Sequence, residues 1–391
     1  MNRNLVHTEI QQFIKDYTGD TSSLAFSGSP FDRVSVQELL EQIASRRRVA
    51  KKLPTWFNTP GIYYPPSLNL EQSSSEQTAS YKAGLVGPIE SILDMTGGFG
   101  VDSFSFSKHA EKVYHVEQNE SLSEIVAHNA EVLNATNIEC REGDGLKAAL
   151  SRHFDVIYAD PSRRHDTKGK VHYLKDCEPD IPAHVPALLK QCDLLMVKTS
   201  PMLDITVGLS ELANVSEIYI VALNNEVKEL LWLLRPDFEG APKITAIEIA
   251  GEALQPFTFE WGQEGRPTFS EPLSFLYEPN AAIMKSGAFH LLSEAYGVHK
   301  LHEHSHLYTG ERPISFPGRS FTIDKVIPYS KKEMRTLNLS KANITTRNFP
   351  ESVAQIRKKW KIKEGGEDYV FFTTISDSKK VVLCCRKVTK N

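Results

Sequence analysis

Residues 154–166, FDVIYADPSRRHD, place reactive side chains directly after an apolar run. The apolar run predicts a buried strand, and Pro161 ends it because proline has no backbone N–H to donate. Asp160 can accept a hydrogen bond or a proton at the strand end, and Arg163 and Arg164 can bind a phosphate or stack on a base. An ion pair between one of these arginines and a nearby acid is the structural alternative.

Polar residues also follow the other short apolar runs between residues 89 and 261. In chain order these runs are SILDM, KVYHVEQ, NIECREGD, FDVIYAD, CDLLMVKTS, EIYIVAL and a last one at 244–249 or 257–261. Their alternation with helical stretches predicts an α/β fold with a doubly wound, Rossmann-like parallel sheet. Ligands of such sheets bind beyond the carboxyl ends of the strands. Five predicted strand ends carry polar residues, namely Asp94, Glu117, Asp144, Asp160 and Lys198.

The first of these strands runs into a glycine-rich turn, LDMTGGFGVD. Gly97, Gly98 and Gly100 allow a tight turn and a close approach of the backbone to a nucleotide-like ligand. The turn alone is a weak signal, because Gly98 and Gly100 with Ser103 also approximate a dinucleotide fingerprint that lacks its third glycine.

Acidic residues at the strand ends favour S-adenosylmethionine over a dinucleotide. Asp94, four residues before Gly98, can meet the cofactor's ammonium group, whereas it would repel a pyrophosphate. Glu117 can accept both ribose hydroxyls, Asp144 can accept the adenine amino group, and Asp160 lies next to the sulfonium. The predicted cofactor-binding residues are Asp94, Thr96, Gly97, Gly98, Gly100, Glu117, Gln118, Asp144, Gly145 and Asp160.

Lys198, in the predicted fifth strand, is a second candidate for chemistry. If burial lowers its pKa, it could polarise or deprotonate an acceptor hydroxyl next to Asp160. We therefore expect Asp160, Pro161 and Lys198 to be the catalytic residues. No metal site is expected, because the spacing of the clustered histidines matches no zinc motif and no cysteine assists them. The clustered histidines are His299, His302, His304 and His306.

The charge of this 391-residue chain is divided unevenly, although its net charge is only −4. Residues 319–391 contain 17 Lys and Arg against 7 Asp and Glu, so the rest of the chain is acidic. This distribution predicts a polyanionic partner, with RNA foremost. Arg357, Lys358 and Lys361 crowd one predicted helix and its exit, where a phosphate backbone would offset their mutual repulsion.

Composition excludes several classes of protein. No apolar run of about 18 residues is available to span a bilayer, and the N-terminus lacks the apolar segment of a secretory signal. The five cysteines are scattered and form no disulfide framework. We therefore expect a cytoplasmic protein with reduced cysteines.

Two helix starts can be located in the N-terminal part. SVQELLEQIASRRRVAKKL predicts a helix capped by Ser35, whose basic end could contact phosphates or simply favour the helix terminus. A second helix is predicted to begin in EQSSSEQTASYKA, where Ser73 with Glu76, or Ser74 with Gln77, has the spacing of a capping box.

The motifs DMTGGFGVD, HVEQN, REGDG and YADPSRR resemble the successive motifs of class I S-adenosylmethionine-dependent methyltransferases, particularly those that modify nucleic acids. Over nearly its full length the chain resembles the bacterial methyltransferases that end in a THUMP-like domain. EQSSSEQTASYKA, DPSRR, SPMLDI and NEVKELL carry this likeness in the body, and FPGRSF and LSKANITTRNFPESVAQIRKKWKIKEGGEDYVFFTT carry it in the tail. The resemblance predicts four segments: a helical region with its connector at 1–70, the methyltransferase domain at 71–265, a small ferredoxin-like segment at 266–318 and the basic THUMP-like α+β module at 319–391.

The resemblance implies methylation of structured RNA, either tRNA or rRNA. In amino-methylating relatives the fourth motif reads Asn or Asp, two prolines and an aromatic residue that stacks on the target base. Here Ser162 replaces the second proline and Arg163 replaces the aromatic residue, which argues against flipped-base N-methylation. The expected substrate-binding residues are Arg163, Arg164, Arg357, Lys358 and Lys361.

Two other functions stay open. A non-catalytic RNA-binding protein could keep a degenerate methyltransferase fold, although the intact set of strand-end residues argues against it. Methylation of a protein or a small molecule would leave the basic tail unexplained.

Overall fold

The structure is a computed structural model that describes residues 1–163, 173–250 and 253–388. The chain forms two compact units. The first comprises Met1–Ile218 and Glu229–Gly240, and the second comprises Tyr219–Lys228 and Ala241–Asn391. The four segments expected from the sequence stay a prediction.

Short helices dominate the N-terminal part and then alternate with strands. In the first unit the α-helices are α1 (Thr8–Asp16), α2 (Thr21–Ser27), α3 (Val36–Val49), α4 (Pro54–Asn58), α5 (Ser67–Gln72), α6 (Glu76–Val86), α7 (Val101–Phe106), α8 (Glu120–Val132), α9 (Gly145–Ala149), α10 (Ile181–Leu188) and α11 (Ile205–Glu211). In the second unit they are α12 (Ala281–Ser286), α13 (Phe289–Tyr296), α14 (Lys331–Thr336) and α15 (Val353–Trp360).

The strands up to residue 234 are β1 (Ile89–Asp94), β2 (Ala110–Glu117), β3 (Ile138–Glu142), β4 (Phe154–Ala159), β5 (Ser162–Arg163), β6 (Cys177–Glu178), β7 (Cys192–Thr199), β8 (Val215–Leu223) and β9 (Glu226–Leu234). Those that follow are β10 (Lys243–Ala250), β11 (Ala253–Glu260), β12 (Thr268–Phe269), β13 (Phe275–Pro279), β14 (His299–Lys300), β15 (Tyr308–Gly310), β16 (Gly318–Pro328), β17 (Lys341–Arg347), β18 (Lys363–Thr374) and β19 (Lys380–Lys387).

In the first unit the strands of the large sheet have the order β3, β2, β1, β4, β7 and β9. The neighbours from β3 to β7 pair in parallel, and β9 pairs with β7 in the antiparallel sense. The predicted α/β fold with a parallel, doubly wound sheet is therefore confirmed. Parallel pairing brings the carboxyl ends of β1, β2, β3, β4 and β7 to one edge of the sheet, where ligands of this architecture bind.

A strand that the sequence analysis missed follows β8. Asn224 and Asn225 form a two-residue turn with φ angles of 54° and 61°, which asparagine tolerates better than most residues. The turn leads into β9, so the stretch NEVKELL is largely strand. The sequence predicted one last strand at either 244–249 or 257–261. Both segments form strands, because β10 and β11 are an antiparallel pair in the second unit.

The N-terminal helices pack on an apolar core of their own, formed by Leu5, Ile10, Ile14, Leu24, Val34, Leu39 and Ile43. The predicted cap of α3 is confirmed: Ser35 Oγ accepts from Glu38 N at 3.2 Å, and Glu38 Oε2 accepts from Ser35 N at 2.8 Å. The second predicted helix is α6, but its cap is Ser75, whose Oγ accepts from Thr78 N at 3.1 Å.

The second unit contains a mixed sheet in the order β12, β14, β15, β13, β16, β19, β18 and β17. Its core includes buried residues of β16, β18 and β19, such as Phe321, Phe371 and Leu383. On the other side of β18, Phe372 packs with Ile356 of α15. The α+β character expected of the C-terminal part is confirmed. In the described part of the chain, no helix has both the length and the apolar character needed to cross a membrane.

Replacing Ser35 with alanine removes the side chain that caps α3, so the N–H of Glu38 loses its acceptor. We expect the free energy of unfolding to fall by about 1 kcal/mol. Ser35→Asp keeps an acceptor oxygen and should recover most of this loss. Urea denaturation followed by circular dichroism checks both variants, and an alanine variant as stable as the wild type would contradict the prediction.

Candidate active site

The glycine-rich turn after β1 depends on backbone geometry that only glycine adopts easily. Gly98 and Gly100 have φ angles of 57° and 74°, in the left-handed region. A Cβ on Gly97 would lie 2.4 Å from Nε2 of His115, a fully buried residue of β2. A side chain is therefore excluded at Gly97, and the backbone of the turn lies directly at the carboxyl ends of β1 and β2.

The carboxylate of Glu117, at the end of β2, holds this turn. Its Oε2 accepts from the N–H of Gly98 at 2.9 Å, and its Oε1 accepts from the N–H of Asn119 at 2.9 Å. A carboxylate has about four acceptor positions, so each oxygen can still accept a hydroxyl. Glu117 is partly exposed and the neighbouring Gln118 is exposed. The geometry thus suits a ligand with two adjacent hydroxyls.

The end of β3 contacts the end of β1. Asp144 caps α9, since its Oδ1 accepts from the N–H groups of Leu146 and Lys147 at 2.9 and 3.2 Å. A Cβ on Gly145 would lie 1.8 Å from the carbonyl oxygen of Met95, so this contact requires glycine. Asp144 and Gly145 therefore lie beside the glycine-rich turn, and 42% of the Asp144 side chain is exposed.

Asp160 follows β4 and is fixed from two sides. Its N–H donates to Thr96 Oγ1 at 2.7 Å, which connects it to the glycine-rich turn. Its Oδ2 accepts from Lys198 Nζ, because Ala159 of β4 lies opposite Val197 of β7 and so places the next residues side by side. About a third of the Asp160 side chain is exposed, and Pro161, which follows it, is also accessible.

The pKa of Lys198 moves in the direction opposite to that expected for a base. Burial opposes its charge, but the carboxylates of Asp160, Asp102 and Glu229 outweigh burial and raise the pKa above its usual range. Lys198 therefore stays an ammonium group at neutral pH. It can donate hydrogen bonds and hold Asp160, but it has no lone pair with which to accept a proton.

Asp94 lies beneath the glycine-rich turn, with 1% of its surface exposed. Its Oδ1 accepts from Thr96 N at 3.2 Å, and its Oδ2 accepts from Ser103 Oγ at 2.6 Å. Burial raises the pKa of Asp94 to about 7, and the hydrogen bonds only partly oppose this shift. In this structure the carboxyl group supports the turn from below, so any contact with an ammonium group would require it to turn outward.

A buried lysine that the sequence analysis did not single out lies next to this site. Lys82 of α6 has no exposed surface, and its Nζ is 2.8 Å from both carboxylate oxygens of Glu229, which is also buried. The same Nζ donates to Ser74 Oγ at 3.0 Å and lies 3.2 Å from Asp102 Oδ1. Charges removed from water need partners of this kind, because an unpaired buried ion is very costly.

Asp102 connects this lysine to the sheet. Its Oδ2 accepts from Ser74 Oγ at 2.8 Å and from Tyr158 of β4 at 3.0 Å. Burial raises the pKa of Asp102, but Lys82 and Lys198 together bring it below its ordinary value. Burial raises the pKa of Glu229 despite the same two lysines. Lys82 lies in the segment EQSSSEQTASYKA, whose local pattern gives no sign that its lysine is buried.

The predicted substrate-binding residues are not all placed alike. Arg164 lies outside the described residues, and Arg163 is described only as part of the two-residue strand β5. Arg357 donates to the carbonyl oxygens of Ile362 and Ala342 at 3.4 and 3.3 Å, so its guanidinium also supports the tail module. Lys358 is exposed, and Lys361 is an exposed residue that ends α15 with a φ of 57°.

Comparison with known proteins supports a family assignment over the whole chain. Residues 318–387 match the family described as THUMP domain-like, and residues 275–317 match a ferredoxin-like domain. A solved structure described as a "putative methyltransferase from Porphyromonas gingivalis W83" is 32% identical, covers 100% of both chains and has a TM-score of 0.91. None of the curated proteins matches this sequence.

Other solved structures resemble only part of the chain. An rRNA methylase from Streptococcus thermophilus is 15% identical over 41% of this chain and 94% of its own, with a TM-score of 0.30. A structure described as "a putative methyltransferase from streptococcus mutans in complex with SAH" is 14% identical over 41% of this chain and 96% of its own, with a TM-score of 0.31. At these scores the two likenesses add nothing to the argument.

Asp94→Asn keeps the shape of the buried carboxyl group but removes its charge. The unfolded chain loses this proton near pH 3.8 and the folded chain near pH 7. Ionisation therefore costs the wild type stability as the pH rises through this window, at up to about 1.4 kcal/mol per pH unit. We expect the variant to gain stability relative to the wild type between these two pH values, with no further change above them.

Urea denaturation at several pH values measures this difference. Asp193→Asn is the matched control, since Asp193 is 72% exposed on β7 and should show no such trend. A constant difference between Asp94→Asn and the wild type across the window would show that Asp94 is not a buried, protonated group.

Proposed function

Because the chain belongs to the family of class I methyltransferases that end in a THUMP-like domain, we propose that it transfers a methyl group from S-adenosylmethionine to structured RNA. The observation that supports this best is the placement of Asp160. This partly exposed carboxylate is held by Lys198 and by Thr96 of the glycine-rich turn, at the edge of the sheet where ligands bind.

The residues around the glycine-rich turn fit the cofactor. Glu117 can still accept two ribose hydroxyls while it holds Gly98 and Asn119. The absence of side chains at Gly97 and Gly145 lets these residues pack directly against His115 and Met95, which keeps the backbone of the turn at the carboxyl ends of the strands. Asp144, which is partly exposed beside them, can accept the adenine amino group. When bound, the cofactor supplies an electrophilic methyl group on a positively charged sulfur.

Asp160 and Lys198 have different roles in this proposal. Transfer to an acceptor that carries a hydrogen, such as an amino group or a hydroxyl, breaks its N–H or O–H bond and releases a proton, and the Asp160 carboxylate can accept that proton or orient its donor. Lys198 stays protonated and fixes the Asp160 oxygen, so it acts as a positioning residue. Pro161 stiffens the chain directly after Asp160, which helps to keep the carboxylate close to the reacting atoms.

RNA is the substrate that accounts for the tail. Residues 319–391 carry 17 basic against 7 acidic side chains, and they almost coincide with the THUMP-like match. Lys358 and Lys361 are exposed and can neutralise phosphates. Arg357 already donates to two backbone carbonyl oxygens, so only its remaining N–H groups are available to a phosphate. Arg163 and Arg164 follow Asp160 in the chain and are proposed to contact the RNA next to the reacting atom.

Glu117→Ala should weaken the binding of S-adenosylmethionine by about a hundredfold or more, because each charged hydrogen bond to a ribose hydroxyl contributes roughly 1.5–3 kcal/mol. The cofactor affinity of Glu117→Gln should lie between those of the wild type and Glu117→Ala, since glutamine keeps one acceptor oxygen. Glu142→Ala, which removes an exposed acid at the neighbouring strand end, is the control and should bind normally. Isothermal titration calorimetry measures all four proteins, and unchanged binding by Glu117→Ala would remove Glu117 from the cofactor site.

Asp160→Asn should reduce methyl transfer by at least about a hundredfold while cofactor affinity changes little. Lys198→Met should reduce it less, and Lys198→Arg should restore part of the loss because it keeps the positive charge. Transfer of labelled methyl groups from S-adenosylmethionine to RNA from a strain that lacks the protein provides the measurement. Asp193→Asn is the exposed control. Normal turnover by Asp160→Asn would show that the chemistry occurs elsewhere.

The substrate itself is identified by mass mapping. RNA from wild-type and deletion strains is digested to nucleosides, and the protein should restore to the deletion-strain RNA the methylated nucleoside that it lacks. Identical nucleosides in both strains, together with methylation of a protein fraction, would overturn the assignment of RNA.

A further inference from the structure

A loop that the proposed function does not use lies in the second unit between β14 and β15. We call residues 301–307 the His loop. Its histidines are His302, His304 and His306. Ser305 Oγ donates to the carbonyl oxygen of Thr374 at 2.5 Å, and His302 Nδ1 is 3.2 Å from Asn348 Nδ2. The loop belongs to the ferredoxin-like match, and its contacts attach it to the ends of β17 and β18 in the THUMP-like match.

Two arginines of the second unit share one buried acid, and one of them, Arg347, lies near His306. Arg347, at the end of β17, donates to Glu278 Oε1 at 2.9 Å, and Arg319 donates to Glu278 Oε2 through its Nε at 2.8 Å. Glu278 is 3% exposed, while about a third of each arginine side chain reaches solvent. One buried carboxylate therefore serves two guanidinium groups, which leaves a net positive charge at the surface.

Polar atoms of the His loop and its neighbour are not satisfied by the fold. The ring of His306 stacks on Phe289 with centroids 3.6 Å apart. Its Nδ1 is buried without a hydrogen-bond partner among the described residues, and the same holds for Nε of Arg347. Such groups are rare in native proteins, and one explanation for them is a missing ion.

The histidines lie among cations. Burial first, and then Lys300, Arg347 and His304, lower the pKa of His306 to about 4. The pKa of His302 is also lowered, by burial and then by His304, Lys380 and Lys300. Glu303 opposes both shifts, but its carboxylate is bound to His290 at 2.8 Å. Cations thus outnumber acids around these imidazoles in the described part of the chain, and the acid that opposes them, Glu303, is shared with His290.

An anion is the ligand that this arrangement suits. Among the described residues, no group of three or more His, Cys, Asp or Glu side chains has the arrangement of a metal site. A phosphate would accept hydrogen bonds from protonated imidazoles and from guanidinium groups, and its charge would stabilise both. The phosphate source expected here is RNA, because the loop lies against the segment that carries the excess of basic residues.

We propose that the His loop, together with Arg347, Asn348 and Lys380, binds a backbone phosphate of the RNA and takes up protons at His302 and His306 as it does so. This inference rests on the proposed RNA substrate and adds a second contact, in addition to the exposed lysines of α15. The RNA affinity of the protein then depends on pH through these two histidines.

Binding of labelled bulk bacterial tRNA to the full-length protein, at about pH 6 and about pH 8 and constant ionic strength, tests the proposal. Each proton taken up on binding changes affinity by up to about tenfold per pH unit, in favour of the lower pH. The double variant His302→Gln/His306→Gln should lose this pH dependence. Arg347→Lys, which keeps the charge beside Glu278, should bind more weakly at both pH values because it lacks the guanidinium fork.

Arg386→Gln is the matched control. It removes an exposed arginine of β19 that is paired with Asp324, and it should keep the pH dependence of the wild type. A double variant whose affinity still rises at the lower pH as in the wild type would overturn the proposal, while RNA binding and the proposed function would stand. Failure of the wild type to bind RNA at either pH would overturn the RNA substrate and the proposal with it.

Side-chain NMR of the histidines gives a readout that does not depend on affinity. Added RNA should raise the pKa of His302 and His306 but should not change the NMR signals of His153, which directly precedes β4 in the first unit. Inorganic phosphate and polyglutamate are the comparison ligands. If inorganic phosphate but not RNA raises the pKa of these histidines, the loop is a small-anion site. If only polyglutamate raises it, the ligand is an acidic protein. Either result would overturn the proposal.

Discussion

The buried ammonium group of Lys82 is the interaction on which the rest of the site depends. It pairs with the carboxylates of Glu229 and Asp102, which belong to β9 and α7. Lys82 and Glu229 are buried and only 12% of the Asp102 side chain is exposed, so removing one partner leaves a largely buried charge unpaired. The network therefore fixes α6, α7 and β9 relative to one another. Since α7 directly follows the glycine-rich turn, it also fixes the place where the turn ends.

The same network determines the electrostatics of the Asp160–Lys198 pair, in which Asp160 is the more exposed partner. Asp102 and Glu229 contribute to the raised pKa of Lys198, so that Lys198 remains a cation next to Asp160. A lysine meant to act as a base would need the opposite surroundings, with burial or other cations to lower its pKa. The site thus separates a fixed cation from a carboxylate that still reaches solvent, and it leaves proton acceptance to the carboxylate.

Carboxyl groups that look equivalent in the sequence have distinct roles in the structure. Asp94 is buried and holds the turn from below, Glu117 holds it from the side, and Asp160 faces the accessible edge. Their surroundings explain the division, because burial without a cationic partner favours the protonated form of a carboxyl group, whereas an exposed carboxylate remains available to a ligand. In the second unit Glu278 also has a structural role, since it pairs with two arginines.

The amino-acid sequence by itself determined the features that arise from local patterns. Alternating apolar runs predicted six strands of the large sheet, the cap at Ser35 predicted the start of α3, and the glycines predicted the turn after β1. Such features depend on backbone propensities and hydrogen bonds within a few residues. Asp160 was found in the same way, because proline and two arginines after an apolar run are locally conspicuous.

Only the tertiary structure decided which charged residues are buried together. Lys82 and Glu229 are 147 residues apart in the chain, and neither a polar residue in a helix nor one in a short hairpin strand reveals such a contact. β9 was missed for a related reason, since an antiparallel strand inserted between β7 and β8 departs from the regular alternation. Whether Lys198 is a base or a fixed cation also depended on neighbours from other strands and helices. The pKa of a buried group is set by the charges that surround it in space, and the order of residues along the chain does not contain that information.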